Sequence, residues 1–400
     1  MGVQRAQAGQ TPADGSSAGA GETVLANARV VTPDAVLRGA VLIRDGLIAD
    51  VSAGPCSAAG AVDLDGDYLI PGLVELHTDN LERHLRPRPG VDWPRRAALA
   101  AHDGEFASVG ATTVLDALRV GSIDDRDSGL GDYAAGAAEA AAQLRALGLL
   151  RADHHIHIRC ELCSPNLIAE YDRVGGDPRV RLISVMDHTP GQRQFARLEK
   201  YVEYYQGRKG FSDAEMAAFI ETARRLQIAH ERDNRAALAE RARARGLIVA
   251  SHDDATAEHV AESVEIGAAI AEFPTTAVAA RASRAAGMQV LMGAPNLLRG
   301  GSHSGNVSAL ALAEAGLVDI LSSDYAPASL MLAAFKLAEE VEAYDLPAAI
   351  ACVTANPARA AGFADRGAVA PGLRADLARV YHVERLCVVR GLWREGTRVL

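Results

Sequence analysis

The sequence predicts an α/β chain folded as a (β/α)8 TIM-like barrel with a small β-sandwich beside it, on three observations. Short β-prone runs alternate with Ala-, Arg- and Glu-rich helical stretches through the middle of the chain, the pattern of βαβ units around a parallel sheet. Eight such runs can be placed, at residues 72–77, 111–118, 154–161, 180–187, 247–252, 268–273, 288–293 and 318–323, and eight parallel strands close a barrel. Four of them finish on side chains of metal-ligand type: His77 and Asp79, His188, His252, and Asp324. Barrel enzymes place their chemistry at that end of the strands.

Along the chain, residues 1–22 are rich in Gly, Ala, Ser and Gln and bury too little apolar surface to repay ordering, so a disordered leader is expected. Residues 23–69 read as short strands separated by Gly and Asp turns, and a similar pattern returns over 372–400; the two ends are expected to pair as the β-sandwich. The barrel then occupies 70–371, with helical stretches near 132–148, 213–246, 256–266, 276–286, 306–315 and 328–343. Residues 189–246 are too long for one crossover and are expected to form an insertion reaching over the barrel mouth or a neighbouring subunit.

Bulk properties exclude several classes of function. A net charge of -10 gives no electrostatic reason to bind nucleic acid or an anionic membrane surface, so any polyanionic ligand must be held by a local basic pocket. No apolar run approaches the roughly 20 residues of a membrane helix, and the N-terminus lacks the order of a signal peptide. Five scattered cysteines do not make a disulfide framework, which points to a reduced, cytoplasmic chain. A homodimer is only the base-rate expectation.

The strand-end residues carry the chemistry. His77-x-Asp79 offers two ligand types from one strand end, His188 and His252 can add neutral imidazole nitrogens, and Asp324 a carboxylate. Asp253 or Asp254 can fix the tautomer of His252. Asp324 is also placed to act as general base; its alternative is an N-cap for the helix near 328. Glu161 is the candidate bridging or additional ligand if two ions bind, against the alternative of a salt bridge to an arginine such as Arg159. The set suits one or two divalent ions, Zn2+, Mn2+ or Fe2+. Asn80, Arg83, Arg86 and Arg88 follow the first ligand strand, Lys209 lies in the insertion, and Arg299, Gly300, Gly301, Ser302 and His303 form a loop read as opening a helix. All are candidates for holding phosphate.

The framework of His77-x-Asp79, His188, His252 and Asp324 with flanking β-segments resembles the amidohydrolase superfamily of metal-dependent barrels. It departs at Asp79, where a second histidine is usual, and in having no lysine at a strand end, since the only lysines are Lys200, Lys209 and Lys336. More closely, the run from Pro71 to Asn80 with Glu82, the run from Arg86 to Trp93, Met186 to Gln192, Ser251 to Asp254, and Gly293 to Asn296 are similar to the PhnM-type enzymes of phosphonate catabolism. That resemblance implies hydrolysis of a ribosyl phosphonate triphosphate with release of diphosphate. A cyclic amide hydrolase or deaminase on the same barrel, or a barrel without catalysis, are the competing expectations.

Overall fold

The computed structural model describes residues 21–88, 90–123, 132–191, 193–195, 198–302 and 305–400. Nearly all of the leader expected at 1–22 lies outside them. The chain opens with β1 (Thr23–Val31), β2 (Val36–Arg44), β3 (Leu47–Ala53), β4 (Val62–Asp63) and β5 (Tyr68–Pro71). It closes with three strands after the barrel, Leu377–Val383, Leu386–Arg394 and Thr397–Arg398. Together the two ends make one hydrogen-bonded eight-stranded sheet, welded where β5 runs antiparallel to Leu377–Val383. Leu25, Val30, Val41, Ile43, Leu69, Leu377 and Trp393 bury its own small core.

Pro71-Gly72 carries the chain from this sheet into the barrel. A Cβ on Gly72 would lie 2.2 Å from the Thr112 hydroxyl, so only glycine allows the close approach. The barrel strands are β6 (Leu73–Thr78), β7 (Ala111–Val120), β8 (Asp153–Glu161), β9 (Val180–Met186), β10 (Ile248–His252), β11 (Ala268–Glu272), β12 (Gln289–Gly293) and β13 (Ile320–Ser322), each parallel to the next. Their alternation divides the apolar side chains in two. Leu76, Leu115, Leu182, Ala250, Ile270, Leu291 and Ile320 fill the barrel, while Val114, Ile183, Val249, Val290 and Leu321 pack outward under the helices.

The seam between first and last strand closes at the site end. Asp79 N–H donates to Asp324 O (2.8 Å) and Asp324 N–H to His77 O (3.0 Å). Beneath this, the buried Glu75 carboxylate accepts from His77 N–H and from Ser323 N–H, each at 2.7 Å, and so ties both strands together. Burial pushes Glu75 up to about 7, against the effect of those donors.

Between β9 and β10 stand two helices, Leu198–Lys209 and Asp213–Arg245. A Ser212/Glu215 capping box starts the second and a left-handed Gly246 ends it. Its C-terminal part is anchored to the barrel by Leu238 and Ala242, and by Asn234 donating to Leu162 O and Ser164 O. Its start and the shorter helix share a separate cluster of Tyr201, Phe211 and Met216. Among the described residues no helix is long and apolar enough to cross a membrane.

Candidate metal centre and active site

Three imidazoles converge at the C-terminal rim of the barrel, each held through one ring nitrogen. His77 is the last residue but one of β6, His188 lies two residues beyond β9 and His252 ends β10; ring centroids are 5.8 Å apart for His77 and His252 and 5.7 Å for His188 and His252. A β-bulge helps turn His77 to the cavity: Glu75 pairs with Val114 and Thr78 with Asp116, leaving one more residue in β6 than in β7. The Nδ1 atoms face carboxylates, Glu272 at 2.7 Å from His77, Glu161 at 2.6 Å from His188 and Asp253 at 2.7 Å from His252. A carboxylate can only accept, so each Nδ1 carries the proton, and in the neutral ring Nε2 is the free lone pair. Burial works against a charged ring at His77 and His188, yet Glu272 and Glu161 outweigh it and raise both pKa values. A cation on the Nε2 side would take that second proton's place.

His252 Nε2 and Glu272 Oε2 are buried without a hydrogen-bond partner and lie 3.8 Å apart. Two facing acceptors in that state are costly and call for a cation between them. Ligand atoms lie within 4.8 Å of one another in each of three groups: His77, His252 and Glu272; His188, His252 and Asp253; and His77, Asp79 and Asp324. His77 and His252 are each shared between two groups. The donor set therefore fits a divalent cation.

Asp79 faces His77 Nε2 at 3.9 Å, and both its oxygens accept from Arg159 Nη1 at 2.6 Å. Burial opposes ionisation of Asp79, but Arg159 holds its pKa below the usual range. The arginine expected to pair with Glu161 is thus committed to Asp79, because the side chain of Arg159 faces into the barrel towards the rim. Burial and the charge of Asp79 push Asp324 the other way, upward. Asp324 does not cap the following helix; Ala328 occupies that N-cap. Asp253, Phe273 and Asp324, all just past strand ends, have φ of 58°, 54° and 54°. Asp tolerates this left-handed region, whereas a bulky Phe is strained there. The Phe273 ring packs edge-on to His77 and His252, with centroids at 5.0 and 5.4 Å. His157 forms the floor, donating Nδ1–H to Leu76 O and accepting from Ser184 Oγ, both at 2.9 Å; burial pushes it down to about 3.

Glu161 was expected as a ligand, but it is engaged with His188 through both the ring and the backbone N–H and does not line the cavity. Its place in this structure is to orient the imidazole. The cavity itself, ≈ 460 Å³, has Arg119, Arg159, Arg299, Ser302, Tyr205 and Tyr325 among its walls.

The expected phosphate-binding residues do not stay together. Arg299, Gly301 and Ser302 line the cavity. Arg83 and Arg86 line an adjoining recess instead, and Arg88 is exposed and lines neither. Asn80 is fully buried beneath helix Asn80–Leu85 and donates to Glu105 (2.7 Å), so it faces away from the cavity. The Lys209 side chain and His303 lie outside what the structure describes. The Gly300-Gly301 loop ends a helix rather than opening one. Gly300 is the left-handed cap of Ala294–Arg299, and the two glycine N–H groups donate back to Leu297 O and Asn296 O. They are spent on the helix end and cradle no anion.

Sequence reasoning missed Glu272, Arg119 and Tyr205. Glu272 had the same signal as the others, an apolar Ala-Ala-Ile-Ala run ending on a carboxylate. The other two depend on which way a strand end and an insertion helix face.

No protein-family model matches the chain. It is 44% identical over 377 residues to the alpha-D-ribose 1-methylphosphonate 5-triphosphate diphosphatase of Escherichia coli (strain K12), covering 94% of this chain and 100% of that protein. A shorter match, 29% over 96 residues and 19% of the relative, is to the L-hydantoinase of Paenarthrobacter aurescens. Among solved structures the fold is shared with an amidohydrolase (TM-score 0.59, 18% identity, 95% of this chain and 99% of that one). It is shared too with an N-acetyl-D-glucosamine-6-phosphate deacetylase from Mycobacterium smegmatis (0.60, 19%, 94% and 100%). With an end-to-end relative at that identity, on a barrel whose fold it shares with these solved structures, the chain belongs to the alpha-D-ribose 1-methylphosphonate 5-triphosphate diphosphatase family.

Proposed function

We propose that this enzyme hydrolyses α-D-ribose 1-methylphosphonate 5-triphosphate to the 5-phosphate and diphosphate, within phosphonate catabolism. The supporting observation is that one cavity joins a hydrolytic donor set to arginine walls, in a chain whose full-length relative carries that name. His77, His188, His252, Asp79 and Asp324 would hold one or two divalent ions, with Zn2+ suited and Mn2+ or Fe2+ also compatible. A bound ion supplies Lewis acidity, lowering the pKa of a coordinated water towards roughly 7.

The protein's own residues do the rest. Asp324 faces the cavity from the closing strand and takes the proton of the attacking water. Glu161, Asp253 and Glu272 keep the three imidazoles in register. As the bridging bond between the α- and β-phosphates breaks, Arg119, Arg159 and Arg299 offset charge on the separating groups. A cytoplasmic setting is consistent with the five free thiols.

The partial likeness to a hydantoinase keeps ring-amide hydrolysis as a second reading. Metal analysis of the purified protein, with diphosphate release from the triphosphate assayed beside ring opening of a hydantoin or dihydroorotate, separates the two. Diphosphate release that scales with metal content is expected; turnover of the ring amide alone would reject the proposal.

A further inference from the structure

We propose that a second recess beside the metal cavity, walled by Arg83, Arg86, Arg95, Arg96 and Arg119, binds the diphosphate end of the substrate and receives it as the leaving group, an inference that rests on the reading above. The recess measures ≈ 900 Å³ and shares Glu82 and Arg119 with the cavity, so the two adjoin at that wall.

Charge gives the direction. The cavity walls set Arg119, Arg159 and Arg299 against Asp79, Glu82, Asp253 and Asp324, so the protein itself brings no excess of positive charge there for a triphosphate. The recess sets its five arginines against Glu82, Asp92 and Glu139. In a chain of net charge -10, that is a local reversal of sign suited to a polyanion.

Two of the arginines hold exposed pairs that are open to exchange. Arg86 pairs with Asp92 at 3.1 Å and Arg95 with Asp132 at 3.5 Å, exposed pairs of little worth that a phosphate can replace. Arg83 is steered towards the seam by donating to Tyr325 O, the residue after Asp324, at 3.2 Å. Arg95 and Arg96 open the 14-residue helix Arg95–Ser108, which has no side-chain cap and no acidic residue in its first turn. Two cations at the positive end of a helix repel it, and an anion docked between them relieves that conflict.

Another part of the cavity lining, absent from the recess, is of another kind. Around Arg299 stand Ser302, Tyr205 and Asn306, amide and hydroxyl groups suited to a sugar and a single phosphonate. The ribose then lies towards Arg299, Ser302 and Asn306, and the terminal phosphates towards helices Asn80–Leu85 and Arg95–Ser108.

The test uses the metal-loaded full-length enzyme, wild type against R86A/R96A and R86K/R96K, with inorganic diphosphate as the binding probe. In R86A/R96A, KM for the triphosphate and the inhibition constant of diphosphate should both rise about tenfold or more, with metal content close to wild type. R86K/R96K should recover part of the loss, since charge is kept while the bidentate geometry is not. If R86A/R96A folds poorly, R96E alone, at an exposed position, should raise both constants. Unchanged constants in a folded, metal-replete variant would overturn the inference. Diphosphate binding is read without turnover, so a wild type that binds it through these arginines but does not cleave the triphosphate would reject the proposed function and not the recess.

Discussion

Two clusters of histidine and carboxylate lie within reach of β6, β7 and β8, and only one looks out on a cavity. Outside the barrel wall, under helix Arg95–Ser108, Asp116 accepts from His102 Nε2 and His154 Nδ1, each at 2.8 Å, while His154 Nε2 faces Asp103 at 3.4 Å. Asn80 Nδ2 closes the other side on His102 Nδ1 at 3.3 Å. At the rim, His252 Nε2 and Glu272 Oε2 are left unpaired. Both clusters pass a test of ligand type and spacing. They differ in unspent lone pairs: the outer group has used its hydrogen-bonding capacity on itself and serves as a polar strut between helix and sheet, whereas the inner group has kept acceptors free for a cation.

The largest effect expected from breaking the inner group is catalytic. Asp324→Asn should lower kcat by roughly 10² to 10⁴-fold with a smaller change in KM, read from diphosphate release. In the outer group the effect should be on stability. Asp116→Asn leaves buried His154 with Asp103 as its one remaining charge partner and should cost roughly 3–5 kcal/mol in denaturant unfolding, with metal content retained.

The same pair sets a pH dependence. Burial opposes charge on His154, yet Asp116 and Asp103 overcome it and raise its pKa to about 10 from an ordinary 6.5. A raised folded-state pKa contributes stability that is complete below 6.5 and is lost as pH climbs through about 10. The stability difference between wild type and His154→Gln should therefore shrink over that interval, and a constant difference would show the histidine to be neutral. The smallest change is expected at Asn80, the link between helix Asn80–Leu85 and the outer cluster. Asn80→Ala should lose roughly 1–3 kcal/mol of stability, read by denaturant unfolding, with metal content retained.

Much of this was legible in the chain. All eight barrel strands lie within about two residues of where apolar runs and Gly turns put them, because a strand buried on both faces writes itself as an uninterrupted β-prone segment. His77, Asp79, His188, His252 and Asp324 were visible because each stands where such a segment stops. What local pattern does not carry is the direction of a side chain after the strand. Whether Arg159 meets Glu161 or Asp79, whether Asn80 looks into the cavity or under a helix, and whether Gly300 starts or ends a helix depend on packing between segments far apart in sequence. The bulge in β6 that presents His77 leaves no mark in the residues themselves.

Metal content of His252→Ala and His102→Ala, determined beside the wild type on purified, folded protein, decides the matter most directly. The account predicts that the first loses bound metal and diphosphate release together while the second keeps both. Full metal occupancy in His252→Ala, or its loss only in His102→Ala, would contradict it.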